Sequence, residues 1–289
     1  IQRAMLKKKG LNPDTLVMTA TPIPRTMALT VYGDLDYSIL DELPAGRKPI
    51  LTKVIEPENK KIIYKMIAEE VSSGGQVYVV YPLIEESEAM DLKSATQGYE
   101  GLKKLFPQYK VALIHGKMSA KQREEIMKEF RNGDIHILVA TTVIEVGVDV
   151  PNATLMIIIH AERFGLAQLH QLRGRVGRGL RPSKCILLPY KLTEEAKLRL
   201  RAIVNYSDGF KIAEEDMKIR GPGELFGVKQ SGMPDLKVAD LIKDQSLLEI
   251  ARNEAEQLLQ EDKNLSLHPK TRASLENFWK GKTEIFMTA

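Results

Sequence analysis

The sequence predicts an α/β fold: a doubly wound parallel sheet, followed by a helical hairpin and further C-terminal helices. Three observations predict it. Six short β-rich runs fall at 50–56, 77–83, 110–116, 135–141, 155–160 and 184–190, and nearly all are continuously apolar. Strands that are buried on both faces read this way, whereas half-exposed strands alternate. Amphipathic stretches such as 58–73 and 119–131 separate the runs, and repeated βα units close into a parallel sheet with right-handed crossovers. After Pro189 the strand pattern gives way to a helical one.

Each element carries its own signal. The 119–131 helix opens with a capping box, Ser119 followed three residues later by Gln122, and Gly133 stands just past its end. "TEEAKLRLRAIVNY" begins with Thr193 as N-cap and two acids in the first turn, where the helix dipole favours them. A second helix is expected over 213–219 and another over 240–260, with the Gly/Pro-rich "RGPGELFGVKQSGMP" between them. The expected domains are the end of a preceding unit at 1–33, a linker at 34–49, the sheet domain at 50–190, a hairpin with its loop at 191–236, and a helical region at 237–289.

Composition narrows the class without choosing a function. The chain has 289 residues, 43% of them hydrophobic and 28% charged, with a net charge of +4. Such a balance permits a polyanionic partner without requiring one. The lone cysteine, Cys185, lies in the apolar "CILLPY", where a small buried hydrophobe is expected rather than a reactive thiol. Without a disulfide framework, membrane-length apolar run or secretory leader, the expected location is a reducing cytoplasm. No metal-ligand cluster is expected, and there is no internal repeat.

The most informative stretch is "QLRGRVGRG", Gln171 to Gly179. Three arginines that repel one another alternate with three glycines that weaken any helix carrying them. A basic surface patch, a nucleic-acid contact and an arginine finger toward a nucleotide phosphate all compete as explanations. Arg175 and Arg178 are three apart, so on a helical turn they would point the same way, as a triphosphate requires. A finger is worth ~10³–10⁵ in rate, roughly 4–7 kcal/mol, against ~1 kcal/mol of helix stability per glycine.

Gln171-x-x-Gly174-Arg175-x-x-Arg178 resembles motif VI of the superfamily 2 helicases. "TTVIEVGVDVPNA" (141–153) resembles motif V, "TATPIPRT" (19–26) resembles motif III, and "YVVYPLIEES" stands in the place of motif IV. Four motifs in order are a specific signal. "TMALTVYGDLDYSILDELPAGRKPI" and "DGFKIAEEDMKIRGPGELFGVKQSG" narrow the likeness to the RecG family of bacterial branched-DNA helicases, over nearly the whole chain. The resemblance implies a RecA-like second lobe for the sheet.

The family's motor needs a phosphate loop and a DExH box, and neither is found in this sequence. "GKT" at Gly281–Thr283 has Glu276 where a Walker A glycine is required. "DELP" at Asp41 ends in Pro44 and follows motif III instead of preceding it. The expectation is therefore the back half of a motor, inactive alone, with ATP and Mg²⁺ held mainly by a first lobe.

The resemblance also implies roles. Arg175 and Arg178 would stabilise the γ-phosphate during hydrolysis, with Gln171 positioning the motif, Gly147 allowing close approach, and Asp149 binding ribose or orienting the arginines. Thr142 would hold a DNA phosphate, and Gly116, at a strand's carboxyl end beside His115, would lie against DNA. Thr19 and Thr21 would couple nucleotide state to DNA grip. In the hairpin, Arg199 and Arg220 would tie to motif VI while the loop ending at Gln230 moves against DNA. Without the resemblance, these two arginines read as exposed helix charges worth about 0–1 kcal/mol each. His170 is expected to be structural.

The expected partners are branched DNA (forks and Holliday junctions), the wedge domain and first lobe of the same motor, and single-stranded-DNA-binding protein as a candidate. Two alternatives remain: a transcription-repair coupling translocase, and a non-catalytic DNA-binding module. "RGPGE" and "YGDLDYS" favour the branched-DNA helicase over the first.

Overall fold

A computed structural model describes residues 46–83, 88–141, 149–220 and 244–279, together with positions 16, 18, 38 and 40. Thr19, Thr21, Thr142, Gly147 and Gln230 lie outside the described residues. The chain divides into two compact units, residues 38–219 and residues 1–37 with 220–289.

All six expected strands form: β1 (Leu51–Val54), β2 (Gln76–Val80), β3 (Val111–Ile114), β4 (Ile137–Ala140), β5 (Ala153–Ile159) and β6 (Lys184–Leu188). They build one sheet in the order β1-β6-β5-β2-β4-β3, and every pairing is parallel. β2, β4 and β5 are buried along their whole length, which is why they read as unbroken apolar runs. β1, at the sheet's edge, buries only Thr52.

Helices cover both faces. On one face α1 (Lys60–Ser72) and α2 (Glu88–Leu105) bury Ile63, Ile67, Val71 and Leu102 against Val77, Val79, Ile137 and Ile157. On the other, α3 (Ala120–Asn132), α4 (Leu166–Arg173) and α5 (Glu194–Asn205) pack onto Tyr78, Leu138, Met156 and Leu187. The capping box of α3 is present with both bonds made, and Gly133 ends the helix in the left-handed conformation at φ 88°. Thr193 caps α5 by accepting from the Ala196 N–H at 3.1 Å. Its partner α6 (Gly209–Arg220) starts four residues earlier than expected, at an Asp208 carboxylate that accepts from the Phe210 N–H.

The second unit contributes α7 (Gln245–Glu261) and α8 (Pro269–Trp279). Asp262 ends α7 and folds the link to α8. One of its carboxylate oxygens accepts from the Ser266 N–H and hydroxyl, the other from the Leu267 N–H. Cys185 is fully buried in β6, and burial pushes its thiol pKa up to about 12, as expected of a small core hydrophobe.

Candidate functional site

In an all-parallel sheet the two ends are chemically different places, and the arginine run sits at the amino end. α4 stops at Arg173 and Gly174 is its C-cap. The chain then passes beside residues that precede three strands. A Cβ on Gly177 would meet Ile50, just ahead of β1, at 2.8 Å; one on Gly179 would meet the Pro151 carbonyl oxygen, just ahead of β5, at 2.6 Å. Arg181 donates to the Ser73 hydroxyl, ahead of β2, at 2.7 Å. Gly177 has φ +74°, which side-chain-bearing residues rarely adopt. Two of the run's glycines thus serve close approach and a left-handed turn, and the arginines are held by backbone geometry rather than by a helix.

That geometry corrects the spacing argument. Arg175 and Arg178 do not share a helical turn, because the helix ends before them and Gly177 reverses the backbone between them. Both nonetheless act on one side chain. Burial pushes the Tyr78 phenol's pKa up, the positive charges of Arg175 and Arg178 pull it down, and the charge of Asp149 pushes it up again. Arg178 donates to the Gly174 carbonyl at 3.0 Å and lies 3.5 Å from an Asp149 carboxylate oxygen. Asp149 is itself held from behind by Arg131, which donates to its backbone carbonyl. Gln171 lies on α4, half-buried.

Arg173, the first arginine of the run, does different work. It is 5% exposed and donates to the carbonyls of Ile203 (2.7 Å) and Tyr206 (2.8 Å) at the end of α5. It also donates to Nδ1 of His170 at 2.9 Å. Burial, and then the charge of Arg173, hold the His170 pKa down at about 4, so the ring accepts as a neutral imidazole, in keeping with a structural histidine. The tie between the arginine segment and the α5–α6 hairpin is therefore Arg173. Arg199, expected in that role, instead donates to the Glu162 carbonyl at 3.0 Å and pairs with Glu195. Arg220 ends α6 and is exposed.

The carboxyl end carries the other candidates. Gly116 follows β3 in an exposed turn, and Thr141 ends β4 one residue before Thr142. The turn Ala161–Arg163 after β5 gathers a polar cluster that sequence reasoning missed. His160 opens it with φ 53° and stacks on Tyr190, with ring centroids 4.2 Å apart. The Glu162 carboxylate lies 3.2 Å from His160 Nδ1 and accepts from the Tyr190 N–H at 3.1 Å. Arg163 forms a two-pronged pair with Asp91 of α2. The one local signal was the charged "ERF" directly after an apolar strand; the partners lie 28 to 72 residues away.

An all-parallel six-stranded sheet with an arginine–glycine run at its amino end has the arrangement of the second, RecA-like lobe of a helicase. Residues 58–179 match the helicase conserved C-terminal domain, and residues 206–280 match the C-terminal part of domain 3 of the ATP-dependent DNA helicase RecG. The chain is 56% identical to the ATP-dependent DNA helicase RecG of Aquifex aeolicus over 274 residues, which is 92% of this chain and 34% of that protein. It is 53% identical to the protein of the same name from Thermotoga maritima over 258 residues, 89% of this chain and 33% of the relative. A solved structure of RecG bound to a three-way DNA junction matches with a TM-score of 0.66 and 51% identity, covering 83% of this chain and 31% of that one.

The chain thus belongs to the RecG family, as a C-terminal region comprising the second lobe and the domain 3 segment that follows. It spans about a third of the length of the curated relatives it matches. No helix among the described residues is long and apolar enough to cross a membrane.

Proposed function

We propose that this chain is the back portion of an ATP-dependent helicase that remodels branched DNA, forks and Holliday junctions, in the bacterial cytoplasm. Relatives named ATP-dependent DNA helicase, and a relative's structure described as bound to a three-way DNA junction, support the reading. The domain 3 match favours it over the transcription-repair coupling translocase and over a non-catalytic module.

The observation that carries the mechanism is the Arg178–Asp149 pair at the amino end of the sheet, with Arg175 three residues away and acting with it on the Tyr78 phenol. These residues fit the phosphate end of a nucleotide: two guanidiniums offer planar donors to phosphate oxygens, and the partly exposed Asp149 orients Arg178 while leaving room for an anion. ATP, when bound, supplies the transferable γ-phosphoryl group and the energy of its hydrolysis. Arg178 and Arg175 would neutralise charge that develops on the equatorial oxygens, and Gly177 and Gly179 let the backbone fold closely enough to aim them. Mg²⁺, as the family resemblance implies, would be held mainly by the first lobe. Thr142, Gly147, Gly116, Gln230, Thr19, Thr21 and Arg220 keep the roles the family resemblance implies, and single-stranded-DNA-binding protein remains a candidate partner.

The test is ATP hydrolysis by the full-length parent with Arg178→Ala. The expected result is a fall of at least about a hundredfold, on the scale of ~10³–10⁵ for arginine fingers. Hydrolysis within a few-fold of wild type would overturn the finger role.

A further inference from the structure

We infer that the Asp91–Arg163 ion pair is a positioning device that transmits DNA occupancy at the carboxyl end of the sheet to the arginines at its amino end. The inference rests on the functional reading above. Asp91 lies in the first turns of α2 and its side chain is 4% exposed. Both of its carboxylate oxygens face Arg163: Nη1 donates to Oδ1, and Nη2 to Oδ2 at 3.0 Å. A carboxylate so deeply buried persists only when paired, and a two-pronged fork sets orientation as well as distance. The pair therefore fixes how α2 sits relative to the Ala161–Arg163 turn.

Each side of the pair leads to one end of the sheet. α2 packs on β3 and β4, the strands whose carboxyl ends carry Gly116 and Thr141. The turn, in the other direction, runs through Phe164 and Gly165 straight into α4. That helix is a buried rod: Leu166, Leu169 and Leu172 are all fully inaccessible. Its eight residues carry the chain about 12 Å toward the amino end and hand it to Arg173, Arg175 and Arg178. Close-packed interiors move as units rather than deform, so a shift of α2 reaches the arginines through α4. The same turn holds α5 by the bond from Arg199 to the Glu162 carbonyl, and β6 by the bond from Tyr190 to the Glu162 carboxylate. Two further elements thus follow whatever moves it.

The experiment compares ATP hydrolysis with and without fork DNA in the full-length parent, wild type against Asp91→Asn and Arg163→Lys. The second variant keeps the charge and loses the fork. The expected result is DNA-free hydrolysis within about twofold of wild type and fork stimulation reduced roughly tenfold or more, within the 5–150-fold typical of coupled sites. The charge-swapped double variant, Asp91→Arg with Arg163→Asp, is expected to recover part of the stimulation, which a purely steric role would not give. Retained stimulation in both single variants overturns the inference. So does a proportional loss of both rates, or unfolding of both variants at the assay temperature. Arg178→Ala, run alongside, separates the two readings: if it leaves both rates unchanged, the arginine assignment fails whatever Asp91 does.

Discussion

The two ends of the sheet hold their charges in opposite ways. At the carboxyl end the Asp91 carboxylate is buried and met on both oxygens, and Glu162 is likewise engaged by His160 and Tyr190. At the amino end the Arg178–Asp149 pair is stretched to 3.5 Å and Asp149 is 55% exposed. A tight buried pair is costly to break and serves shape, whereas a loose exposed one is worth little to stability and leaves donors for an incoming anion. The contrast recurs inside the nine residues of "QLRGRVGRG", where Arg173 is buried on carbonyls across the fold while Arg178, beyond one bond to the Gly174 carbonyl, turns toward the exposed Asp149.

The sharpest way to break that contrast is to remove Arg173. Arg173→Ala strips one buried and one part-buried carbonyl of their donor, and at about 1–3 kcal/mol for each group left unsatisfied the cost is about 2–5 kcal/mol. At about 2–4 °C per kcal/mol for a unit of this size, thermal denaturation is expected to shift down by roughly 10 °C. Arg178→Ala is expected to shift it by no more than ~1–3 °C, since exposed pairs contribute about 0–1 kcal/mol. Equal shifts in the two variants would remove the distinction between a structural and a functional arginine.

A smaller effect is expected from Gly179→Ala, whose new methyl would lie 2.6 Å from the Pro151 carbonyl oxygen. Backbone cannot swing away as a side chain would, so a cost of about 1–3 kcal/mol follows by overpacking, read as a fall in melting temperature. Because the same displacement moves Arg178, hydrolysis should fall further than the melting temperature alone accounts for. Gly133→Ala, at a helix end far from the arginines in sequence, serves as the control for strain without loss of aim.

The smallest effect concerns pH. The folded His170 takes up its proton near pH 4, whereas an unfolded histidine does so near 6.5. Unfolding therefore binds a proton between these values, and stability is lost as pH falls from about 6.5 to about 4. His170→Gln should flatten the melting-temperature curve over that window by a few degrees. An unchanged slope would show that the imidazole is not held neutral by Arg173.

Much of this was legible from residues alone, for identifiable reasons. Strands buried on both faces announce themselves by composition, and the Ser119–Gln122 box and the Thr193 cap are local chemistry, so β1 to β6, α3 and α5 stood out. α2 did not, because Gly98 and Gly101 interrupt its pattern; the first makes room for the Tyr81 hydroxyl, a contact made across the fold. α4 is short and shares its residues with the arginine motif, so its periodicity was masked. The motif identified Arg175 and Arg178, but the course of the chain between them is set by Gly177 and by the strand starts around it, not by helical spacing. Arg173 makes the tie to the hairpin that was expected of Arg199 for the same reason: which carbonyl a long side chain reaches is settled by packing some 30 to 37 residues away.

The central claim is that the amino-end arginines serve the nucleotide and not the DNA. It is tested most directly by the affinity of the full-length Arg178→Ala parent for fork DNA, measured across a series of salt concentrations without nucleotide. The account predicts an affinity and a salt dependence indistinguishable from wild type, because no phosphate contact has been lost. A weaker complex with a salt slope reduced by about one would mean that Arg178 grips a DNA phosphate, contradicting the assignment.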